Sequence, residues 1–364
     1  MREKGFTLSP RRPLAIRVAQ SHKEPALAIS SFREIHLKSR PNGAPGIEHF
    51  ELASVPSKAP EAGEVQVRNL WMSVDPYMRG RMYDRPSYVP PFELGKVLQG
   101  GAIGQVVESQ SDALKPGDLV ESMFGWREGF TAPASALTKL PQTSAPPQAF
   151  LGVLGMPGLT AYAGLLEIGK PQPGETVFVS GAAGAVGSLV CQIAKIKGCN
   201  VVGTAGSPEK CDWLRAAGID AAVNYRQAEK QDGLLAAMKA AAPGGINVYF
   251  DNVGGEHLEV ALELARPFAR FVECGMISRY NDETPPPGPR NLIYIVGKSL
   301  MIQGFIVMQF AGLRDQFHKD MGQWIQAGKI RSEETVHEGI QAAPQAFADL
   351  FSGGNTGKML VKLA

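Results

Sequence analysis

A chain of 364 residues is longer than one ordinary hydrophobic core organises, so two domains are expected. A formal charge of +2, with 44% hydrophobic and 20% charged residues, fits a globular enzyme and argues against nucleic acid or a membrane surface as the main partner. No apolar run reaches the ~20 residues that a membrane-spanning helix requires.

Residues 1–25 carry Arg2, Lys4, Arg11, Arg12 and Arg17 without a long apolar core. A flexible extension is expected there and a secretory signal is not, while Glu3 and Glu24 count against a transit peptide. From about Phe32 short β-like runs begin. Residues 34–38, 50–52 and 64–68 alternate with period two, and 70–74 form a more buried run. Further strands are expected at 101–108 and 118–122, separated by the turn signal Lys115-Pro116-Gly117-Asp118. Strands with little helix between them imply a partly open β-barrel-like domain over residues 26–155. After Leu151 the pattern changes to alternating helix and strand. A helix at 159–168 precedes strands at 176–180, 200–202, 221–223, 248–250, 270–274 and 301–307, the signature of a doubly wound parallel sheet over 156–332. Residues 282–289, with four prolines, form a surface loop. The tail, residues 333–364, ends in a strand-like run at 359–363 that is expected to return to the first domain.

The strand at 176–180 runs into Ala182-Ala183-Gly184-Ala185-Val186-Gly187, followed by a helix with Val186, Leu189, Val190, Ile193 and Ala194 on one face. A glycine turn in this context is a phosphate-binding turn. Gly184 lets a pyrophosphate approach the backbone, Gly187 lets the helix pack on the strand, and the helix N-terminus offers free N–H groups. The second strand leads into Gly203-Thr204-Ala205-Gly206-Ser207-Pro208-Glu209-Lys210, without the acidic residue that usually holds an unphosphorylated ribose. Small residues and Lys210 suit a 2′-phosphate, so NADPH is expected over NADH; a solvated helix lysine is the plain alternative. The four cysteines are scattered, and the six histidines do not cluster and are expected at surface or loop positions.

Several segments together resemble the zinc-independent, NADPH-dependent alkenal and prostaglandin reductases of the medium-chain dehydrogenase/reductase superfamily. They are residues 73–80, 154–162, 182–187, 250–255, 274–278 and 304–307, and the resemblance runs from about Phe32 to the end. It implies an α/β chain with a Rossmann domain and an N-terminal GroES-like domain. It also implies cofactor contacts at Ala183, Gly184, Ala185 and Val186, with Gly187 closing the turn, and at Lys210 and Tyr225 around the 2′-phosphate. Further implied contacts are Asn252, the run Cys274, Gly275, Met276, Ile277, Ser278 to Tyr280, then Phe305, Ile306 and Val307, and Asn355. Zinc alcohol dehydrogenases of the superfamily carry Gly-His-Glu where this chain has Leu98-Gln99-Gly100-Gly101-Ala102, so no metal is expected.

Without a Lewis acid the natural reaction is hydride transfer to the activated double bond of an enal or enone. Tyr77, after the turn pair Asp75-Pro76, is the expected catalytic and substrate-binding side chain, with simple wall packing the rival role. The family's second tyrosine position is Gly297 here, and Tyr294, three residues earlier, is the nearest substitute as a substrate contact. Trp126 and Met156 are expected to line an apolar pocket, with core packing the rival role. Arg79 and Arg81 order the Tyr77 loop, meet the cofactor or are solvated. An NADPH quinone oxidoreductase and a non-catalytic NADPH-binding protein are the alternatives. The resemblance implies a homodimer, and the scattered thiols a cytoplasmic setting.

Overall fold

The computed structural model describes residues 30–284 and 286–364, so the extension expected at 1–25 lies outside the described residues. The first domain opens with the hairpin β1 (Ser31–Leu37) and β2 (Phe50–Pro56), followed by β3 (Glu64–Ser73). After β3 come β4 (Ala102–Ser109), β5 (Leu119–Ser122), β6 (Gly129–Pro133) and β7 (Thr138–Lys139). The two runs expected at 64–68 and 70–74 are one strand, interrupted by a register shift between Asn69 and Trp71. There the Asn69 amide donates to the carbonyls of Phe124 and Arg127 (2.8 and 2.9 Å). The irregularity is a bulge served by a side chain, which breaks the alternation without ending the strand.

The second domain begins with α1 (Met156–Ala163), which starts three residues earlier than expected because Pro157 is tolerated in a helix's first turn. It then alternates β8 (Thr176–Val179), α2 (Gly187–Ile196), β9 (Asn200–Ala205), α3 (Pro208–Ala216), β10 (Ala221–Asn224), α4 (Tyr225–Ala228) and α5 (Gly233–Ala241). The alternation continues through β11 (Ile246–Asp251), α6 (Glu256–Leu264), β12 (Ala265–Glu273), α7 (Tyr294–Gly297), β13 (Met301–Gly304) and α8 (Arg314–Gln326). The tail adds β14 (Glu334–Glu338), α9 (Ala343–Ser352) and β15 (Lys358–Lys362).

Six parallel strands stand in the order β10-β9-β8-β11-β12-β13, the doubly wound Rossmann topology. Both faces are apolar. Val177, Val179, Val248, Phe250 and Val272 pack on one side with Leu189, Ile193 and Phe317, while Phe178, Tyr249 and Phe271 pack on the other with Leu234, Met238 and Leu258. The first domain's sheet runs β14-β15-β3-β4-β5-β7, with β6 also on β3. The tail therefore returns, because β15 pairs antiparallel with β3. Among the described residues no helix is long and apolar enough to cross a membrane. The expectation for the histidines fails at His257, which is not a surface or loop residue but lies buried in α6, its ring edge-on to Tyr225 at 5.2 Å.

Candidate active site

At the C-terminal edge of the parallel sheet, β8 ends in the turn 181–187 and α2 begins at Gly187. A Cβ on Gly187 would overlap the Gly181 carbonyl oxygen and come within 2.9 Å of the Ala182 Cα. Helix and strand can meet this closely only without a side chain there. Ala182 and Ala183 are buried beneath the turn. The tail closes over it: the Gly357 amide donates to the Ala183 carbonyl (2.8 Å), and Asn355 donates to the Gly357 carbonyl (2.8 Å). Residues far apart in sequence thus roof the phosphate-binding turn.

Over β9 and β10 lies a cationic corner. Ser207 caps α3 by accepting from the Lys210 amide (3.4 Å), and Pro208 occupies the first turn. That cap turns Lys210 toward the tail, where its Nζ donates to the Gly353 carbonyl (2.8 Å). Arg226, at the start of α4, donates to the adjacent Ser352 carbonyl (2.9 Å). Burial lowers the Lys210 pKa, and the nearby Arg226 charge lowers it further. Neither cation has a carboxylate within ion-pair distance among the described residues. Tyr225 lines the same corner, its hydroxyl 2.9 Å from where a Cβ of Gly206 would stand. Two cations with no anion of their own, beside a small-residue loop, fit a phosphorylated ribose.

The opposite half of the edge is built by β11, β12 and β13. Asn252 donates through Nδ2 to the Ser180 carbonyl (2.8 Å), and the amides of Cys274 and Gly275 both donate to the Asp251 carbonyl (3.0 Å each). Ser278 Oγ donates to the Val253 carbonyl (2.6 Å), and the Met276 amide to the Tyr280 hydroxyl (3.4 Å). Phe305 is buried, with Ile306 and Val307 following on the surface of the edge. A dinucleotide whose phosphates lie on the turn and whose adenosine lies at Lys210 must extend this way.

The first domain supplies Tyr77 from the short helical turn Pro76–Met82. This loop is clamped from beneath. Lys358 Nζ, buried in β15, meets Asp75 Oδ1 at 3.1 Å and donates to the carbonyls of Val74 and Met359 (2.9 and 2.7 Å), and Ser73 also bonds Asp75. Arg79 and Arg81 are not solvated; both are buried. Arg79 donates to the Gly43 carbonyl (2.9 Å) and, across the domain gap, to Asn281 Oδ1 (3.0 Å). Arg81 donates to the Pro90 carbonyl (2.8 Å) and to Gln99 Oε1 (3.0 Å), so both order the loop. Tyr83 adds a second bridge, donating to the Tyr280 carbonyl (3.0 Å).

Four weak acids converge where the domains face each other. Burial, and then Asp75, pushes the Tyr77 hydroxyl far above its usual range, with Arg81 and Tyr88 within electrostatic reach. Tyr88 is 61% exposed, with Cys274 within electrostatic reach, and burial lifts Cys274 and Tyr280 each to about 12. All four hydrogens stay in place at neutral pH, making these groups donors.

Two expected substrate contacts sit elsewhere. Trp126 is wholly buried at φ 61°, stacked on Phe50 at 5.8 Å and edge-on to Phe347 at 6.1 Å, so it belongs to the first domain's core instead of a pocket wall. Tyr294 lies on α7 ahead of β13, at the strand's N-terminal end, with Lys298 over its ring at 4.3 Å. The cofactor edge is the other end of that strand, so within one chain Tyr294 does not reach Tyr77. Met156 is exposed at the start of α1. Sequence reasoning missed Arg226, Tyr88 and Lys358. Arg226 had a signal, a second cation directly after Tyr225. Tyr88 and Lys358 had none, because their neighbours come from distant segments.

Fold and site together define the medium-chain dehydrogenase/reductase architecture. Residues 33–140 match the family model described as the N-terminal domain of oxidoreductase, and residues 185–327 the one described as zinc-binding dehydrogenase. The NADPH-dependent curcumin reductase of Escherichia coli (strain K12) is 42% identical over 334 residues, covering 90% of this chain and 96% of that protein. The 2-alkenal reductase (NADP(+)-dependent) of Nicotiana tabacum is 42% identical over 340 residues, covering 92% and 98%. The crystal structure of CurA from Vibrio vulnificus in complex with NADPH superposes with a TM-score of 0.86 at 38% identity, over 91% of this chain and 99% of that one. The chain belongs to the zinc-independent alkenal and prostaglandin reductase family of the superfamily. Among the described residues no three His, Cys, Asp or Glu side chains converge to hold a metal ion. Gln99, where zinc enzymes carry histidine, instead accepts from Arg81.

Proposed function

We propose that this chain is an NADPH-dependent reductase that delivers hydride to the activated C=C bond of α,β-unsaturated aldehydes or ketones. The observation that carries this is the tie between the Tyr77 loop and the cofactor edge of the Rossmann domain, through Arg79 to Asn281 and Tyr83 to the Tyr280 carbonyl, which supports a protonated Tyr77 phenol facing that edge. The names of the relatives, a curcumin reductase and a 2-alkenal reductase, support the same chemistry. Bound NADPH supplies the hydride. The turn at 182–187 seats its diphosphate, and Lys210, Arg226 and Tyr225 take the 2′-phosphate, which fixes where the nicotinamide falls along the edge. Closure between the domains keeps water from the acceptor. As hydride reaches the β-carbon, negative charge builds on the carbonyl oxygen, and a neutral hydroxyl in a dry site stabilises it. We assign this role to Tyr77. Its raised pKa keeps it a donor throughout the working range, and the Asp75–Lys358 clamp holds its loop.

The test is NADPH consumption with a panel of enals and enones beside a panel of quinones. Enals and enones should turn over, and Tyr77→Phe should lower kcat/KM for them by on the order of 100-fold, the scale of losing one oxyanion donor. Turnover of quinones alone would assign a quinone oxidoreductase, and no acceptor-dependent consumption would leave a non-catalytic NADPH-binding protein. The same reading includes a homodimer formed along β13. That edge strand exposes Met301 and Ile302, beside Ile293 and Val296, which are 73% and 78% exposed. Ile302→Lys should then halve the mass measured by light scattering. All four thiols are free, as a reducing cytoplasm would keep them.

A further inference from the structure

The helical turn that carries Tyr77 is fixed to its own domain by the Asp75–Lys358 pair and by the bonds of Arg81 to Pro90 and Gln99. None of these sets where the turn stands relative to the Rossmann domain. Among the described residues, the side chains of the turn and of Tyr83, the residue that ends it, hydrogen-bond to that domain at two places. Arg79 Nε donates to Asn281 Oδ1 (3.0 Å). The Tyr83 hydroxyl lies 3.0 Å from the Tyr280 carbonyl and 3.3 Å from that of Asp282, and shares its proton between them.

The receiving segment is itself fastened to the cofactor edge. It follows the helical turn Ile277–Arg279, where the amides of Ile277 and Ser278 donate to the carbonyls of Asn252 and Val253 (3.1 Å each). The Tyr280 hydroxyl accepts from the Met276 amide (3.4 Å). A single residue, Tyr280, therefore meets the cofactor segment with its hydroxyl and the first domain with its carbonyl. The two cross-domain side chains differ in what else they do. Arg79 is wholly buried and also holds the carbonyls of Pro41 and Gly43, so removing it disturbs the first domain. The Tyr83 hydroxyl, among the described residues, bonds only the two carbonyls across the gap. Its ring is set from the first domain by the guanidiniums of Arg79 and Arg85, 4.0 and 4.3 Å from the ring centroid, which the π-face attracts.

We propose that Tyr83 is a positioning residue for the reduction: its hydroxyl holds the Tyr77 turn at a fixed distance from the cofactor segment 274–280 and so places the Tyr77 phenol for the substrate oxygen. This rests on the role assigned to Tyr77 above. Without that bond the two faces of the cleft drift, and a donor displaced by about 1 Å no longer meets the developing oxyanion.

The test is a double-mutant cycle on the full-length protein, with NADPH and an enal, for wild type, Tyr83→Phe, Tyr77→Phe and the double variant. Tyr83→Phe keeps the ring against both guanidiniums and deletes only the hydroxyl. It should lower kcat about 3- to 10-fold, the scale of one neutral hydrogen bond, and change the NADPH dissociation constant by less than about twofold. In the Tyr77→Phe background the same substitution should change kcat by less than about twofold, because the group that it positions is already gone. An undiminished effect in that background would overturn the proposal, as would wild-type kcat in Tyr83→Phe or a loss of NADPH affinity matching the loss of rate. Tyr83→Leu, which also strips the ring from buried Arg79, should melt well below Tyr83→Phe yet share its kcat. A rate normal in Tyr83→Phe and lost in Tyr83→Leu would assign the ring a packing role and overturn the positioning one. Unaltered turnover in Tyr77→Phe would remove the Tyr77 reading itself, and the proposal with it.

Discussion

Replacing Lys210 by alanine separates the two roles its Nζ plays. It holds the Gly353 carbonyl at 2.8 Å, and with Arg226 it forms the anion-free corner assigned to the 2′-phosphate. Hydrogen bonds to charged groups contribute about 1.5–3 kcal/mol, or about 10- to 150-fold in affinity. Arg226 remains and takes up part of the phosphate charge, so the lower half of that range is expected for NADPH. Loss of the bond to Gly353 loosens the tail loop roofing the glycine turn, which weakens NADPH and NADH alike by about 1 kcal/mol. Dissociation constants for both cofactors should therefore move together by a few-fold, with a further tenfold or more for NADPH alone. Arg226→Ala should show the same selectivity, and the double variant, with no cation left to compensate, should lose more than the product of the two. An equal effect on NADPH and NADH would refute the assignment and leave Lys210 as a structural tie between α3 and the tail.

Lys358→Met leaves Asp75 buried without its cation and should cost about 3–5 kcal/mol of stability, read as a lowered midpoint in urea; adding Asp75→Asn should restore most of it. Gly187→Val drives a side chain into the Gly181 carbonyl, so NADPH binding should be lost if the protein still folds, as near-ultraviolet dichroism and fluorescence titration would show. His257 sets an acid limit. Its pKa falls from 6.5 in an ordinary setting to about 4 in the fold, so the unfolded chain takes up the proton first. Stability present above pH 6.5 is lost as pH falls toward 4, by up to about 3 kcal/mol at about 1.4 kcal/mol per pH unit. His257→Phe should flatten that part of the stability curve, and an unchanged slope between pH 6.5 and 4 would contradict the burial argument.

Local pattern determined most of the architecture. Period-two alternation marked the first domain's strands, and the apolar strand, glycine turn and amphipathic helix around 176–196 marked the dinucleotide fold, because these signals live within one element and its immediate neighbours. Lys210 was legible for the same reason, being set against a missing acidic residue a few positions away. Tertiary structure decided what depends on distant segments. The tail's return put Lys358 under Asp75 and the 353–357 loop over the glycine turn. Domain apposition brought Tyr88 toward Cys274 and bound Arg79 to Asn281. Burial in three dimensions moved Trp126 from pocket to core and His257 from surface to interior. Parallel register set Asp251 beside Glu273, although the two lie 22 positions apart in the chain. Spacing along a sequence states what a strand or helix presents; only the packing states what each group then faces, and charge, burial and proton affinity follow from that.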